Sequence, residues 1–347
     1  MSYLLRGASL TDYVDVARSL GLDPYRFLRA AGINLTALVD PDIRIPAAAV
    51  SNLLEASAHA AGVEDFGLRM AQTRQLSNLG PLAFVMREEP TLRRALNSMS
   101  RYLRLHNEAL AMCIEEDDGV VILRQEALNG LPGSQRQSAE LVVAVLYRVV
   151  VLFLGGGWKP RRVCFTHSAP ASTATHLRVF GMPVAFGQEF DGLICDAADL
   201  ESSLPSYDPA MARQVRQYLD SLLARSDDTM ADKVRRLIVV LLPSGACSIE
   251  RIAEHLGVDA RTVQRRLTRQ GESYAGILAS LRAELVVRYI GNRERQLSEV
   301  AVLLGFGSLS AFSRWFSHQF GCSVSKWRAQ RDVAPAGASA NQEYFGS

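Results

Sequence analysis

Arg261, Gln264, Arg265 and Thr268 recur one, three and four residues apart in SIERIAEHLGVDARTVQRRLTRQG, and at helical spacing they share one outward face. Their groups suit the reading of base edges. An Arg pairs two N–H donors with guanine O6 and N7, and a Gln pairs with adenine N6 and N7, each worth about 1–3 kcal/mol of discrimination. Thr262 and Arg269, on the same segment, complete the set that would meet a duplex. A second group, Leu309, Ser310, Ser313 and Arg314, stands on the outer side of a later segment whose inner side is aromatic. Leu309 cannot hydrogen-bond a base but can pack on a thymine methyl.

Two pairs of short helices must hold these groups. In the later pair, Leu297, Val300, Ala301 and Leu304 form one apolar face, and Gly305 permits the left-handed turn that ends the helix. The following helix takes Ser308 or Ser310 as N-cap, buries Phe312, Trp315, Phe316 and Phe320, and stops at Gly321. The earlier pair repeats it: Ile252, Ala253, Leu256 and Gly257 correspond to Val300, Ala301, Leu304 and Gly305. After a one-residue shift, Val263, Arg265 and Leu267 correspond to Phe312, Arg314 and Phe316, with Asp259 as the earlier N-cap. An Arg-rich helix face is often merely solvated, and any helical hairpin with a glycine turn shares this spacing. The repetition counts against both.

Between the copies, Ser273 to Tyr289 has helical apolar spacing at Ile277, Leu278, Leu281, Leu285 and Val286. These residues would span about 25 Å, a rod able to hold two recognition helices about one DNA turn, roughly 34 Å, apart.

At these residues the chain resembles the AraC/XylS transcriptional regulators. The resemblance covers about Ser248 to Arg331 and is most specific from Ala301 to Arg328. Gly307 stands where the family commonly has a polar residue, and Val324 where it usually has Pro. The resemblance implies an all-α domain of two helix-turn-helix units joined by a long helix, with base contacts on Arg261, Gln264 and Arg265 and on Leu309, Ser310, Ser313 and Arg314. DIRIP, FGLRM, the run LSNLGPLAFVMREEPTLRRALNSMSRYLRLHNEAL, RVCFTH and VFGMPVAF look like the N-terminal effector domain of the ornithine-utilisation kind within that family. That likeness implies a small-molecule effector and dimerisation, and offers Arg69, Asn78, Arg87, Arg101, Tyr102 and His106 as pocket residues. An Arg on an amphipathic helix is more often solvated, and a lone His more often structural.

Length and charge agree with two domains. Of 347 residues, 48% are hydrophobic, enough for substantial cores. From Ser244 to Arg331 there are thirteen Arg and Lys against seven Asp and Glu, a balance of +6, which leaves −4 for the rest of a chain whose total is +2. Basic charge thus sits where phosphates would be met.

The first hundred residues read as helices at Leu10 to Leu20, Tyr25 to Ala31, Pro46 to Gly62 and Thr91 to His106. Ala109 to Glu115 and Val120 to Gln125 flank Asp-Asp-Gly as a β-hairpin. A helix from Arg136 to Leu154, a strand from Arg162 to Thr166, a helix near Thr173 to Phe180 and a strand near Leu193 to Asp196 follow. The expected organisation is an α+β effector and dimerisation domain over 1–206, a linker helix within 207–229, the DNA-binding domain over 230–331 and a disordered tail over 332–347.

Little here supports catalysis. The glycines at 155–157 follow a helix and lack the Lys-Ser/Thr of a phosphate loop, and G-x-S-x-G, H-E-x-x-H and calcium-loop patterns are absent. Five scattered cysteines, without C-x-x-C, fit a reducing cytosol and argue against a DNA-repair methyl acceptor, whose thiolate needs clustered ligands. Cys164, His167 and His176 lack an evident fourth metal ligand, so no metal and no cofactor are expected. The N-terminus lacks the pattern of a signal peptide. The apolar run Leu141 to Leu154 is interrupted by Arg148 and too short to span a bilayer, so no membrane partner is expected. The expected protein is a cytoplasmic regulator that binds double-stranded DNA, with a small-molecule effector, a homodimer, and RNA polymerase as partner if it activates. The alternative is a ligand-independent regulator whose N-terminal half serves only association.

Overall fold

A computed structural model describes residues 3–128, 135–204, 207–225, 229–243, 245, 247–256, 258–291 and 295–332. Gly257, expected to end a helix, and 333–347, nearly all of the expected disordered tail, lie outside the described residues. The chain divides into two compact units, Met1–Val240 and Leu241–Ser347.

The first unit opens with strand β1 (Leu4–Arg6), helices α1 (Tyr13–Ser19) and α2 (Pro24–Ala30), and strand β2 (Arg44–Pro46), which pairs antiparallel with β1. Then come α3 (Ala47–Ala61), α4 (Phe66–Ala71), α5 (Pro81–Arg87) and α6 (Leu92–Tyr102). The four helices expected in this stretch are found with edges moved by up to four residues: Leu10 to Leu20 begins as a 3-10 turn over Gly7–Leu10, and the end of Thr91 to His106 is 3-10 over Leu103–Leu105.

Strands β3 (Leu110–Asp117) and β4 (Val120–Ala127) form the hairpin, with Asp117 opposite Val120. The two-residue turn puts Asp118 at φ 44° and Gly119 at φ 74°, the left-handed pair a tight hairpin requires. The core helix α7 (Arg136–Leu154), strand β5 (Arg162–Cys164), helix α8 (Ala174–Phe180), strand β6 (Asp191–Asp196) and helix α9 (Ala197–Leu200) complete a four-stranded antiparallel sheet in the order β3-β4-β6-β5.

At 19 residues α7 is long and apolar enough to cross a membrane, longer than the run from Leu141 suggested. It instead packs on α3, α4, α8 and β6, burying Leu141, Val143, Ala144, Leu146, Val149 and Val150. Its approach to α4 is so close that a Cβ on Gly67 would strike the Gln137 carbonyl. Tyr13, Phe66, Tyr102, Phe165 and Phe180 are among the largest fully buried side chains, each contributing roughly 1.5–3 kcal/mol by leaving water.

Helix α10 (Pro209–Arg225) occupies the expected linker, yet it packs on α5 and buries Ala212 and Leu219. Asp220 accepts hydrogen bonds from Tyr102 Oη and Arg101 Nη2, both at 2.9 Å. Helix α11 (Met230–Leu241), expected to open the DNA-binding domain, falls with the first unit up to Val240, whose carbonyl accepts from Cys113 Sγ at 3.2 Å. The observed division therefore lies one helix later than the expected one.

The second unit is helical: α12 (Ile249–His255), α13 (Ala260–Arg269), α14 (Tyr274–Gly291), α15 (Leu297–Leu303), α16 (Leu309–Phe320) and α17 (Val324–Asp332).

Candidate nucleic-acid interface

Helix α13 begins where Asp259 can satisfy its first free N–H groups. The Asp259 carboxylate accepts from Thr262 N at 2.7 Å and from Thr262 Oγ1 at 2.9 Å, and these bonds hold its pKa below the usual carboxylate value. Val263 and Leu267 are buried. At about 100° per residue, the direction opposite their midpoint is that of Arg265. Arg261, Gln264, Arg265, Thr268 and Arg269 are exposed, while Thr262 is half-buried with its hydroxyl on Asp259. Thr268 Oγ1 donates to the Gln264 carbonyl at 3.0 Å, which ties down its hydroxyl proton. Arg266, absent from the expected set, is exposed at the flank of the same face. Among the described residues Arg261, Arg265, Arg266 and Arg269 form no ion pair. The signal for Arg266 was the Arg density of the helix.

In α16 the cap is Ser308, whose Oγ accepts from Ala311 N at 3.2 Å. Phe312 and Phe316 are buried, and rings of Phe306, Trp315, Phe320 and Trp327 pack around them. Leu309 is 44% exposed, and Ser310, Ser313 and Arg314 are exposed on the outer side. The turn between α15 and α16 uses Gly305 at φ 67°.

Helix α14 touches both pairs. Near its start Tyr274 Oη donates to the Cys247 carbonyl just before α12, at 3.0 Å. Two turns on, Arg282 donates from Nε to the Leu304 carbonyl at 2.8 Å and from Nη2 to the Gly305 carbonyl at 3.1 Å, with its guanidinium 4.3 Å from the Phe306 ring centre. Burial lowers its pKa. Near the end of α14, the Ile290 carbonyl accepts from Arg328 Nε of α17 at 3.0 Å.

The six expected pocket residues of the first unit do not converge on one point. Arg101 and Tyr102 share Asp220, and burial together with that bond pushes Tyr102 up to about 12. Arg69 pairs with Asp65 at 2.8 Å. The Asn78 carboxamide accepts from Gln75 N at 2.7 Å and closes a turn. Arg6 links Asn78 and His106: it donates from Nη1 to the Asn78 carbonyl at 3.5 Å and from its backbone N to the His106 carbonyl at 2.9 Å. Arg87 lies at the end of α5.

A buried polar centre escaped the sequence reading. The Glu140 carboxylate, fully buried on α7, has His176 Nε2 at 2.8 Å, Arg136 Nε at 3.2 Å and His167 Nε2 at 3.4 Å, all on Oε1. Phe165 and Phe186 pack against both imidazoles. His167 and His176, weighed above for a metal, come together around this carboxylate. Burial lowers the pKa of His167. The signal was an acidic residue directly before an apolar run.

The protein-family model described as the arabinose-binding domain of AraC transcription regulator, N-terminal, matches residues 21–204. A helix-turn-helix domain model matches 252–330. The transcriptional regulator VirS of Mycobacterium tuberculosis is 32% identical over 334 residues, 95% of this chain and 98% of its own. The ornithine utilization regulator of Pseudomonas aeruginosa is 26% identical over 317 residues, 91% and 93% of the two chains. The crystal structure of the regulator CdpR from Pseudomonas aeruginosa matches with a TM-score of 0.42 and 18% identity, covering 88% of this chain and 96% of that one.

Proposed function

The chain belongs to the AraC family of transcription regulators and is a DNA-binding transcription factor with an N-terminal ligand-binding domain, not an enzyme, and from that premise we propose that α13 and α16 are the recognition helices of two helix-turn-helix units joined by α14. The observation that carries this reading is the face of α13: four exposed arginines that form no ion pair among the described residues, on a helix fixed from behind by Val263 and Leu267. Arginines held this way donate to base edges and phosphates without first breaking an internal pair.

In this reading Arg265 and Arg261 read bases with Gln264, Arg266 and Arg269 neutralise phosphates, and Thr262 and Thr268 stiffen the helix. Leu309, Ser310, Ser313 and Arg314 give the second unit a softer reading, with fewer donors and one apolar contact. The N-terminal unit binds a small effector that prefers the DNA-competent arrangement and so raises DNA affinity by the ratio of its affinities for the two states. The protein works in the cytoplasm as a homodimer, and an activating member of such a pair would contact RNA polymerase. The match to a ligand-binding domain model weighs against an N-terminal half that serves association alone.

The test is selection of genomic DNA by the full-length protein at moderate salt. A single motif with two half-sites about ten base pairs apart supports two units reading successive grooves. A motif with one contacted groove per chain, or no enriched motif, would sink the two-unit reading.

A further inference from the structure

A cleft of about 410 Å³ opens between the segment from Arg74 to Leu79 and the C-terminal half of α7. That volume lies within the range of small-ligand sites. Val145, Val149 and Leu152 recur at helical spacing along its α7 wall, and Leu152 is 60% exposed there, an uncovered leucine on an otherwise packed helix. Arg74 and Arg148 also line the cleft, and no acidic residue does.

The two arginines are built in. Arg148 Nε donates to the Arg74 carbonyl at 3.0 Å, joining the two walls. Arg74 is only 6% exposed; Nη1 donates to the Ala8 carbonyl at 2.7 Å and Nη2 to the Ser9 carbonyl at 2.5 Å, while buried Nε has no partner among the described residues. Neither guanidinium has an ion pair there. Burial lowers Arg74 to about 10, with Asp12 opposing the shift, so it is still a cation at neutral pH. Asp12 makes no ion pair with Arg74 among the described residues, and a buried cation without a contacting carboxylate favours an anion beside it more than a solvated one does.

On the reading that the N-terminal unit binds a small effector, we propose that this cleft takes a small organic carboxylate, its anionic end held by Arg74 and Arg148 and its apolar body laid along Val145, Val149 and Leu152. A bare inorganic anion would leave the apolar wall uncovered, and an amine of equal length would meet two positive charges.

The test is calorimetric titration of the full-length protein with straight-chain acids from acetate to octanoate at constant ionic strength, with octylamine as control. The expected result is saturable binding of one acid per chain that tightens with length, and no binding of the amine. Arg148→Gln and Leu152→Asp should each weaken octanoate by about tenfold or more, and Leu152→Asp, at a position 60% exposed, should do so without lowering the melting temperature. No saturable binding of any acid up to about 10 mM, or equal affinity in Arg148→Gln, overturns the site. DNA affinity measured alongside separates the two readings. An acid that binds here with no effect on DNA binding keeps the site and removes its effector role. An effect on DNA binding that persists undiminished in Arg148→Gln overturns the site and leaves the effector reading intact.

Discussion

Arg282 Nε donates to the carbonyl oxygen of Leu304 at 2.8 Å, so a side chain from the middle of α14 caps the C-terminal end of α15. The last carbonyls of a helix lack intrahelical partners, and here a charged donor supplies two of them, Leu304 and Gly305. Hydrogen bonds to charged groups contribute about 1.5–3 kcal/mol. Arg282→Met keeps the aliphatic stem and should destabilise the second unit by about that much, read as an earlier melting transition of the full-length protein. A shift equivalent to less than about 0.5 kcal/mol would show that water replaces the guanidinium at little cost.

Arg265→Ala should weaken binding to the selected site by about 1–3 kcal/mol and relax the preference at one base position. Arg266→Ala should weaken specific and non-specific DNA alike and flatten the salt dependence by about one unit of log–log slope. Competition titrations at several salt concentrations distinguish them. Equal losses on both kinds of DNA for Arg265→Ala would make Arg265 a phosphate contact.

Glu140→Ala removes the acceptor shared by His176, Arg136 and His167 and leaves Arg136 with Glu64, at 3.0 Å, as its carboxylate partner. Leaving buried hydrogen-bond donors without their acceptor costs about 1–3 kcal/mol. Chemical denaturation should show that loss in the first unit, and Glu140→Gln, which keeps an acceptor oxygen, should recover part of it. An unchanged midpoint in Glu140→Ala would mean that the cluster carries no net stability.

His106 is pushed down to about 3 from its ordinary 6.5, by burial first and then by Arg6, Arg74 and Arg44. The unfolded chain therefore binds this proton more readily than the folded one. Its contribution is complete above pH 6.5 and is lost progressively as pH falls towards about 3. His106→Gln should flatten the fall in stability across that window. A pH profile identical to that of the parent protein would assign the acid sensitivity to other groups.

The legible parts of the fold were those whose signal is local. The long period of α7 and the Asp-Asp-Gly turn could be read directly, and Asp259 was identified as a cap because the N-cap needs only its own helix. The pair β1 and β2 was invisible: three residues each, with Leu5 opposite Ile45 forty positions on, carry no periodicity. Helices α4 (FGLRMA) and α5 (PLAFVMR) were missed because they are apolar almost throughout and so show no one-sided period. Where α10 would dock was equally hidden, because Asp220 finds Tyr102 and Arg101 more than a hundred residues away. At the candidate interface the outward face of α13 was readable from its period. The grip of Arg282 on the neighbouring turn was not, since it joins two helices whose packing no spacing specifies.

Tyr274, Arg282 and Ile290, three points at which α14 is tied to its surroundings, are each eight residues apart. One inserted residue between Tyr274 and Arg282 would swing the guanidinium about 100° round the helix axis and away from the carbonyls it holds. The number of residues in α14 is therefore fixed: the segment is intolerant of insertion and deletion even at the solvent-facing positions where it tolerates substitution.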